Sequence, residues 1–429
     1  MNEDFLQFIW SLGLYDSANL KTSEGECVEV ISAGVRNRDS GPDFYNARIR
    51  IGEIVWAGTV EIHRKSSEWN LHGHQNDNAY NNVILHVVEK NDAVIKRKNG
   101  ETIPCMEITC PENFKKRYLE LSESVHHIPC ANYISTINSF KVRFWLDRIA
   151  VERLERKTAE IEILMNETIS DLEEVFHCVL FRYFGFKTNA LPFEMLARSL
   201  PAKMLRKYSH SLLSVESLLF GQAGFLDSEE DDDEYFFKLK SEYRFLKVKH
   251  NLTAMDRSLW KFAKLRPVNF PTVRIAQLAA ILNKYQNLWE IVVALDNTVD
   301  IYGMFDVSAS EYWDSHYVFG KISPKVSSKR LGRNAVDNLI INVFAPMIFV
   351  YSVHRGDGAF KEKAIHFLES LPAETNSVIS EWIKYGIKPS TALQTQALLH
   401  LRSEYCDNKK CLKCAIGQEV IRNILKKEN

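Results

Sequence analysis

The sequence lacks a long apolar run, a surplus of either charge and an N-terminal export signal. Its longest apolar stretch, LIINVFAPMIFVY at 339–351, is interrupted by Asn342 and Pro346 and is shorter than the roughly 20 residues of a membrane-spanning helix. The opening segment MNEDFLQFIWSLGLYD is acidic and has no basic region followed by a long apolar region, as a secretory signal would. The formal net charge of −1 excludes a protein coated in positive charge for nucleic acid. We therefore expect a cytoplasmic protein with no membrane partner, in which any nucleic-acid surface is a local patch.

Cysteine is also sparse, with eight residues in 429. Because export is not expected, these cysteines are better interpreted as thiols or metal ligands than as a disulfide framework. The chain is longer than the roughly 250–300 residues at which single hydrophobic cores stop growing, so two or three domains are expected. The sequence gives no expectation for the oligomeric state.

The periodicity of apolar residues changes along the chain and predicts an α+β protein. A short amphipathic helix with Asn2, Glu3 and Asp4 at its start precedes segments rich in Val and Ile, so residues 1–110 are expected to form a helix and a mostly antiparallel sheet. An Asn99-Gly100 pair predicts a hairpin between 93–97 and 101–108. We expect a linker at 111–138, an α-helical domain at 139–395 and a cysteine-bearing helical segment at 396–429. The acidic run at 227–234 is expected to be a solvated loop.

The most informative stretch is SGPDFYNARIRIGEIVWAGTVEIHRKSSEW at 40–69. Asp43 lies at the start of one predicted strand, and Glu61 and His63 lie in the next strand, on one face of it because side chains alternate with period two. This arrangement resembles the PD-(D/E)XK nuclease superfamily, in which an Asp and an acid on the following strand bind Mg²⁺. The resemblance implies a restriction-endonuclease-like α/β core over residues 1–110, followed here by a large α-helical domain. It also implies Mg²⁺ or Mn²⁺ at Asp43 and Glu61.

One position departs from that superfamily, because His63 stands where it usually has Lys. Imidazole can position water or act as a general base near neutral pH, and Lys65 on the same strand face could supply the cation. An upstream acid, Glu29 or Glu3, could complete the metal shell. The expected function is metal-dependent hydrolysis of phosphodiester bonds in DNA or RNA, with Asp43, Glu61, His63 and Lys65 as catalytic residues. The alternative is an inactive, nuclease-like module that binds nucleic acid or protein.

Two further clusters could bind metal. His72, His74, Asp77 and His86 could hold Zn²⁺ in a competing hydrolase; otherwise His72 and His74 contact phosphate, and His86 is a buried histidine with a hydrogen bond. Near the C-terminus, Cys406, Cys411 and Cys414 form C-x₄-C-x₂-C and lack a fourth ligand nearby. Cys130 is the preferred partner for a site of Zn²⁺ or an iron–sulfur cluster, and the alternative is that all these thiols are packing residues.

Basic residues are concentrated in two segments of the predicted helical domain. WKFAKLRPVNFPTVR at 260–274 combines them with aromatic residues that are more often core residues. The second segment is expected to contact nucleic-acid phosphates; its basic residues are Lys321, Lys325, Lys329, Arg330 and Arg333.

Several strings along the chain are similar to an uncharacterised bacterial family of unknown function, number 2851. They are GPDF, WAGTVEIH, SEW-x₂-HGH, YNNVILHVV, HIPCA, FGQAG, RPVNFP and YC-x₄-CLKCAIG. This resemblance extends over nearly the whole chain and implies no activity.

Overall fold

The computed structural model describes residues 2–37, 39–167, 171–227 and 233–423. Most of the acidic run predicted to be a loop, residues 228–232, lies outside the described residues. The chain divides into two compact units: Met1–Trp145 with Lys384–Ile387 and His400–Asn429, and Leu146–Ile383 with Lys388–Leu399. The fold is mixed α+β, with a small mixed sheet and a large helical part.

The two units differ from the predicted division in two ways. The segment 111–138, which we expected to be a linker, contains a helix and a 3-10 turn of the first unit. The residues from His400 onward also belong to the first unit rather than forming a segment of their own. Sequence separation conceals this arrangement, because the C-terminal residues pack against residues almost 300 positions earlier, as in the hydrogen bond from Lys409 Nζ to Ser124 O.

The first unit combines helices with the sheet. Its elements are α1 (Glu3–Leu12), β1 (Val28–Ser32), β2 (Val35–Arg36), β3 (Phe44–Ile51), β4 (Ile54–Lys65), α2 (Glu68–Leu71), β5 (Val83–Lys90), β6 (Cys105–Glu107), α3 (Glu112–Ser122) and the start of α4 (Ser139–Glu167), with α18 (Ala415–Arg422) from the C-terminal segment.

Helix α1 confirms the prediction for the start of the chain. The Asn2 side chain accepts a hydrogen bond from Phe5 N at 3.1 Å, which satisfies one of the free N–H groups of the first turn. Gly13 ends the helix in the left-handed region at φ 63°, where glycine has no steric penalty. The apolar face of α1 is fully buried, with Phe5, Ile9 and Trp10 each 0% exposed.

The sheet is mixed, with antiparallel pairs in the majority as predicted and two parallel pairs that were not predicted. Its strand order is β1-β3-β4-β5-β6, with β2 also paired to β3. The pairs β1–β3, β2–β3 and β3–β4 are antiparallel, whereas β4–β5 and β5–β6 are parallel. A parallel pair needs a crossover connection, and residues 66–82 provide it with α2 and two 3-10 turns.

The hairpin expected around Asn99-Gly100 is reduced to a single bridge between Lys96 and Thr102. Residues 105–107 pair with β5 instead. The turn signal is therefore correct, but the long flanking strands are not.

The second unit is almost entirely helical. It contains the rest of α4, then α5 (Leu172–Phe184), α6 (Ala190–Ser199), α7 (Ala202–Tyr208), α8 (Leu212–Gln222), α9 (Glu234–His250), α10 (Pro271–Lys284), α11 (Leu288–Ala294), α12 (Thr298–Phe305), the strands β7 (His316–Val318) and β8 (Lys321–Ile322), α13 (Arg333–Leu339), α14 (Ala345–Arg355), α15 (Gly358–Glu369), α16 (Ser377–Lys384) and α17 (Ala392–His400). Helices α16 and α17 each end on a residue of the first unit.

The apolar run at 339–351 lies in a helical stretch, Arg333–Arg355, formed by α13, a π-helical segment Ile340–Phe344 and α14. Among the described residues this 23-residue stretch is long and apolar enough to cross a membrane, with a hydropathy of 1.6, but 72% of its most apolar window is buried inside the protein. Core helices pass the same test of length and composition. The run is thus a buried helix, one of the two forms predicted for it.

Candidate functional site

The loop before β3 holds Asp43 at the edge of the sheet. The Asn37 side chain donates hydrogen bonds to Ser40 O at 3.1 Å and to Pro42 O at 3.0 Å, and Asn37 N bonds to Asp43 O at 2.7 Å. Gly41 takes φ 102°, which favours glycine. These contacts fix the Asp43 backbone, so that its carboxyl group points at β4.

Two hydrogen bonds join Asp43 to the part of β4 that carries Glu61. Asp43 N donates to Glu61 Oε2 at 3.0 Å, and Ile62 N donates to Asp43 Oδ2 at 3.0 Å. Glu61 is buried, with 3% of its surface exposed. The structure therefore brings the two predicted metal ligands together at one end of the β3–β4 pair.

Burial makes this carboxyl pair easy to protonate. It raises the pKa of Glu61 to about 8, against the hydrogen bond from Asp43 N. Burial also raises the pKa of Asp43 to about 7, assisted by the charge of Glu61 and opposed by the hydrogen bond from Ile62. Two carboxylates in a low-dielectric site repel each other unless a proton or a cation compensates their charge.

Next to the carboxyl pair, His63 on β4 and His86 on β5 form a buried imidazole pair. Both are 0% exposed, and His63 Nδ1 lies 2.7 Å from His86 Nε2. Burial, followed by the neighbouring histidines, lowers the pKa of His63 to about 2; burial and then His74 lower that of His86 to about 3. Both rings are therefore neutral, and one nitrogen of each donates or accepts in the shared hydrogen bond. His86 thus orients His63, so that Nε2 of His63 faces away from the strand pair.

Two histidines from the crossover complete the cluster. His72 Nδ1 lies 3.1 Å from His63 Nε2. Glu61 Oε1 lies 3.6 Å from His63 Nε2 and 3.4 Å from His74 Nε2. One ligand atom from each of His63, His72 and His74 lies within 4.8 Å of the others.

These spacings fit a single metal ion. In a tetrahedral site with metal–ligand bonds of about 2.0–2.1 Å, neighbouring ligand atoms lie about 3.4 Å apart. The distances from His63 to His72, from Glu61 to His63 and from Glu61 to His74 are 3.1, 3.6 and 3.4 Å, and the three histidines all lie within 4.8 Å of one another. Three imidazoles and one carboxylate suit Zn²⁺ or Fe²⁺ better than Mg²⁺, which prefers oxygen ligands.

Aromatic packing fixes the crossover histidines. The His74 ring stacks on Tyr80 at 3.9 Å between ring centroids, and Trp69 makes edge contacts with both His74 and His86. Trp69 is fully buried in a small cluster. His72 is exposed, so the cluster is open to solvent on its side.

The structure places two of the predicted site residues elsewhere. Glu29 lies on β1 opposite Arg50 and forms an exposed ion pair with it at 2.9 Å. Arg50 is in turn opposite Val55 on β4, six residues before Glu61 and hence roughly 20 Å from it along the strand. Glu29 is therefore not a ligand of this cluster.

Lys65 is exposed at the end of β4. It lies on the same strand face as Glu61 and His63 by alternation, but beyond the point where the histidines meet. Backbone N–H groups of Arg64 and Lys65 donate to the Glu68 carboxylate, which turns the chain into α2. Lys65, the cation that the sequence suggested for the site, therefore makes no described contact with Asp43 or Glu61.

Two residues of the site were missed by the sequence analysis. Gln7 on α1 donates to Asp43 Oδ1 at 2.7 Å and to Glu3 Oε1 at 3.4 Å. Arg36 on β2 donates to Gln7 Oε1, and to Asp4 Oδ1 at 2.8 Å. Gln7 interrupts an apolar stretch as a buried polar residue, and this was the available signal. Glu3, the alternative upstream acid, thus lies near Asp43, whereas Glu29 does not.

The four residues of the competing zinc prediction have different roles. His72 and His74 belong to the cluster, and His86 holds the His63 ring through the hydrogen bond between the two imidazoles. Asp77 instead accepts a hydrogen bond from Ala79 N at 2.9 Å and caps the 3-10 turn Asn78–Asn82.

The sequence signature of a family described as "Protein of unknown function (DUF2851)" matches residues 3–377. The chain belongs to this family. No curated protein and no solved structure matches the chain. The family resemblance inferred from the sequence is thus confirmed for residues 3–377, whereas the resemblance to the PD-(D/E)XK superfamily gains no support.

The family match includes the whole histidine and carboxylate cluster. Residues 378–429 lie beyond it, and with them three of the four cysteines of the predicted second site. All four are buried: Cys130, Cys406, Cys411 and Cys414.

The basic segment 321–333 offers less positive surface than predicted. Lys329 is only 3% exposed, and its ammonium group donates to Asp314 O and Ser327 O at 3.1 and 2.8 Å. Arg330 forms an ion pair with Asp306 at 2.8 Å. Lys329 cannot reach a phosphate from this position, because its ammonium group is buried against Tyr317 and bonded to these carbonyl groups. Within this segment, the predicted phosphate contacts that are exposed are Lys321, Lys325, Arg330 and Arg333.

The first basic segment is partly buried. Trp260 is 5% exposed and donates to Ala223 O at 2.8 Å, and Arg274 is also buried. The rings of Phe262 and Phe270 are half-buried and pack edge to face. The exposed basic residues of this segment are Lys261, Lys264 and Arg266, so Trp260 and Arg274 are core residues and not part of a binding surface.

Proposed function

We propose that this protein is a metal-dependent hydrolase of phosphodiester bonds in nucleic acid. Its metal ligands would be Glu61, His63, His72 and His74, with Asp43 beside them. The metal would be a divalent transition ion such as Zn²⁺, Fe²⁺ or Mn²⁺. Such an ion polarises a phosphate and activates water.

A single observation carries the proposal. Ligand atoms of three histidines, drawn from β4 and the crossover, lie within 4.8 Å of one another, and Glu61, which accepts from Asp43 N, lies 3.6 and 3.4 Å from two of them, His63 and His74. Perturbed ionisable groups in a partly open site are typical of catalytic centres. A purely structural cluster would not need a buried pair of carboxyl groups, because burying like charges is costly.

The residues of the chain have separable tasks in this site. Glu61 uses Oε2 to accept from Asp43 N, which leaves Oε1 facing the histidines. His86 holds the His63 ring, and Gln7 holds one oxygen of Asp43. His72 lies at the exposed side, where a substrate phosphate can enter.

The substrate class rests on the arrangement of Asp43 and Glu61. An acid at the start of one strand and a second acid in the adjacent antiparallel strand are the features that resemble the PD-(D/E)XK nucleases. The helix before them, the crossover after them and the parallel strand β5 are compatible with a restriction-endonuclease-like core. The exposed residues Arg64 and Lys65 at the end of β4 can contact a phosphate backbone.

One observation favours a second candidate, an inactive module that binds nucleic acid or protein. Both oxygens of Asp43 are engaged by the protein, through Gln7 and Ile62. A carboxylate held in this way can support the fold without taking part in chemistry. Lys65 also makes no described contact with Asp43 or Glu61, which again favours the inactive module.

The test measures metal binding and hydrolysis on the same protein. Wild-type chain is stripped of metal and titrated with Zn²⁺, Fe²⁺ or Mn²⁺, then assayed on single- and double-stranded DNA and RNA. Glu61→Gln and His72→Ala should each lower hydrolysis by more than about 100-fold, since even outer partners of a metal ligand are worth about 10–100-fold. His354→Ala, an exposed histidine on α14, is the matched control and should behave as wild type.

The outcomes separate the two candidates. Metal-dependent cleavage that Glu61→Gln abolishes supports the hydrolase. Metal binding without cleavage of any of these substrates, together with retained nucleic-acid binding, supports the inactive module. Equal metal affinity in wild type and His72→Ala would contradict the assigned ligand set.

A further inference from the structure

Four buried thiols in the first unit are not used by the proposed active site. They lie in two segments: Cys130 in HIPCA, and Cys406, Cys411 and Cys414 in YCDNKKCLKCA. Their exposed fractions are 5, 7, 8 and 6%, and none of them forms a disulfide. Two segments almost 280 residues apart thus contribute sulfur to the same compact unit.

The three C-terminal cysteines lie at the ends of successive short helical elements. Cys406 ends the π-helical segment Leu401–Cys406, Cys411 starts a 3-10 turn, and Cys414 is the N-cap of α18. Lys409 takes φ 52°, so the chain reverses between Cys406 and Cys411. The side chain of Lys409 then donates to Ser124 O at 2.6 Å and to His126 O at 3.3 Å, which ties this loop to the segment that precedes Cys130.

The two segments meet close to these cysteines. Cys130 is the N-cap of the 3-10 turn Ala131–Thr136, and this turn packs against α18, whose N-cap is Cys414. The 3-10 turn that begins with Cys411 also packs against the π-helical segment that ends with Cys406. Burial and then the neighbouring thiols raise the pKa values of Cys130 and Cys406.

Donors around Cys414 suit a thiolate. Backbone N–H groups of Gly417 and Ile416 point at the Cys414 sulfur. The positive end of α18, whose N-cap is Cys414, also favours a thiolate there. A packing cysteine in a core has no need of such donors, because a neutral thiol is a weak acceptor.

Gly417 permits the close approach of α18 to the Cys411 turn. A Cβ atom at this position would lie 2.4 Å from Cys411 O and 3.0 Å from Cys411 Cα. Real contacts of that kind do not occur, so any other residue would displace the turn. The glycine thus keeps Cys411 and Cys414 at a fixed separation.

We propose that Cys130, Cys406, Cys411 and Cys414 are the ligands of one thiolate-bound metal centre. Each thiol loses its proton on binding, and the bound metal then compensates the charge of the buried thiolates. The centre would be structural, since it joins the C-terminal segment to residues 124–130. This inference does not depend on the proposed hydrolase activity.

The spacing of the sulfurs favours an iron–sulfur cluster over a single zinc ion. Zn–S bonds of about 2.3 Å place the sulfurs of a four-thiolate zinc site about 3.8 Å apart. Among the described residues, no three of these sulfurs lie within 4.8 Å of one another, so the set is wider than such a zinc site. Four cysteines hold the irons of a [2Fe–2S] or [4Fe–4S] cluster, which separates the thiolates further.

The experiment uses the full chain, purified without chelator under anaerobic conditions. Iron, zinc and acid-labile sulfide are quantified per chain, and visible absorption and electron paramagnetic resonance are recorded. We expect iron and sulfide in equal amounts, with visible charge-transfer absorption. One zinc per chain without sulfide would support the four-thiolate site and contradict the cluster assignment. No metal in the purified protein, and none after reconstitution with ferrous iron and sulfide or with Zn²⁺, would overturn the proposal.

Two variants locate the metal. Cys411→Ser should lose the bound metal, and Cys105→Ser should retain it, because Cys105 is an equally buried cysteine of the same unit that lies on β6. Gly417→Ala should also lose metal although all four ligands are present. Retention of the full metal content by Cys411→Ser, with unchanged absorption, would contradict the assignment.

Discussion

His86 offers a sharp test of the histidine cluster, because it supports the proposed metal site without being a ligand. It lies in the centre of β5, directly opposite Glu61 in the parallel register. Its Nε2 lies 2.7 Å from His63 Nδ1, and its ring is 0% exposed. Replacing His86 by Phe should leave the His63 ring without its hydrogen-bond partner and free to reorient.

The expected magnitude follows from the role of such outer partners. Their removal typically lowers metal affinity by about 10–100-fold, which corresponds to about 1.4–2.8 kcal/mol. A change of charge does not contribute, because the pKa values of His63 and His86, about 2 and 3, leave both rings neutral. His86→Gln can restore the hydrogen bond to His63, so this variant should retain most of the affinity.

The assay is a competition titration of the metal-free protein with Zn²⁺ against a chelator of known affinity. His177→Phe is the matched control, since His177 is also buried but bonds to Leu200 O in the helical unit. Circular dichroism checks that each variant is folded. If His86→Phe binds Zn²⁺ as tightly as wild type while folded, His63 is not held by His86 for metal binding, and the proposed geometry is wrong.

Two further predictions concern the helical unit. Burial raises the pKa of Glu216 to about 7 from its ordinary 4.5. Protonation of Glu216 therefore stabilises the fold by about 3 kcal/mol below pH 4.5, and this contribution is lost as the pH rises through 7. The melting temperature of Glu216→Gln should vary less between pH 5 and 8 than that of wild type. Gly221→Ala would place a Cβ atom 2.1 Å from the buried Tyr243 ring and should cost about 1–3 kcal/mol, whereas Gly303→Ala meets nothing within 4 Å and should stabilise α12 by about 0.5–1 kcal/mol. Equal denaturant midpoints for the two alanine variants would contradict the packing argument.

Local patterns in the sequence predict the elements of the first unit better than their pairing. The capping of α1 by Asn2 and the alternation that places Glu61 and His63 on one face of β4 depend on neighbours in sequence. The direction of β5 depends on the path of residues 66–82. That path contains only four α-helical residues, Glu68–Leu71, and helical periodicity cannot be recognised in so short a segment. The parallel pairing was therefore missed.

The same distinction applies to the site. Asp43, Glu61 and His63 could be selected from spacing along a hairpin. Gln7 could be noticed as a polar residue in an apolar stretch, but its partner could not be predicted, because the bond to Asp43 joins α1 to the sheet across 36 positions. The buried position of Lys329 was equally invisible, since a basic segment between polar residues is typical of an exposed loop, whereas Tyr317 and two carbonyl groups surround this ammonium group.

The neutral side chain of His63 leaves Asp43 and Glu61 without a fixed positive charge at the neighbouring position of β4. A lysine at this position would place a fixed positive charge beside Asp43 and Glu61. His63 is instead neutral, and Lys65 is exposed at the end of the strand. The remaining cation, Arg36, acts on Asp43 only as the last of the contributions that lower its pKa, and it is also paired with Asp4.

The carboxyl pair therefore lacks a strong protein cation, and its charge must be compensated by protons or by a bound ion. The raised pKa values of Asp43 and Glu61 describe the first case. In the second case, a divalent ion binds among Glu61, His63, His72 and His74 and uses the lone pairs that neutral imidazoles offer. The neutrality of the histidines and the burial of the acids thus have one consequence: metal binding should release protons near neutral pH, and the apparent affinity should rise with pH.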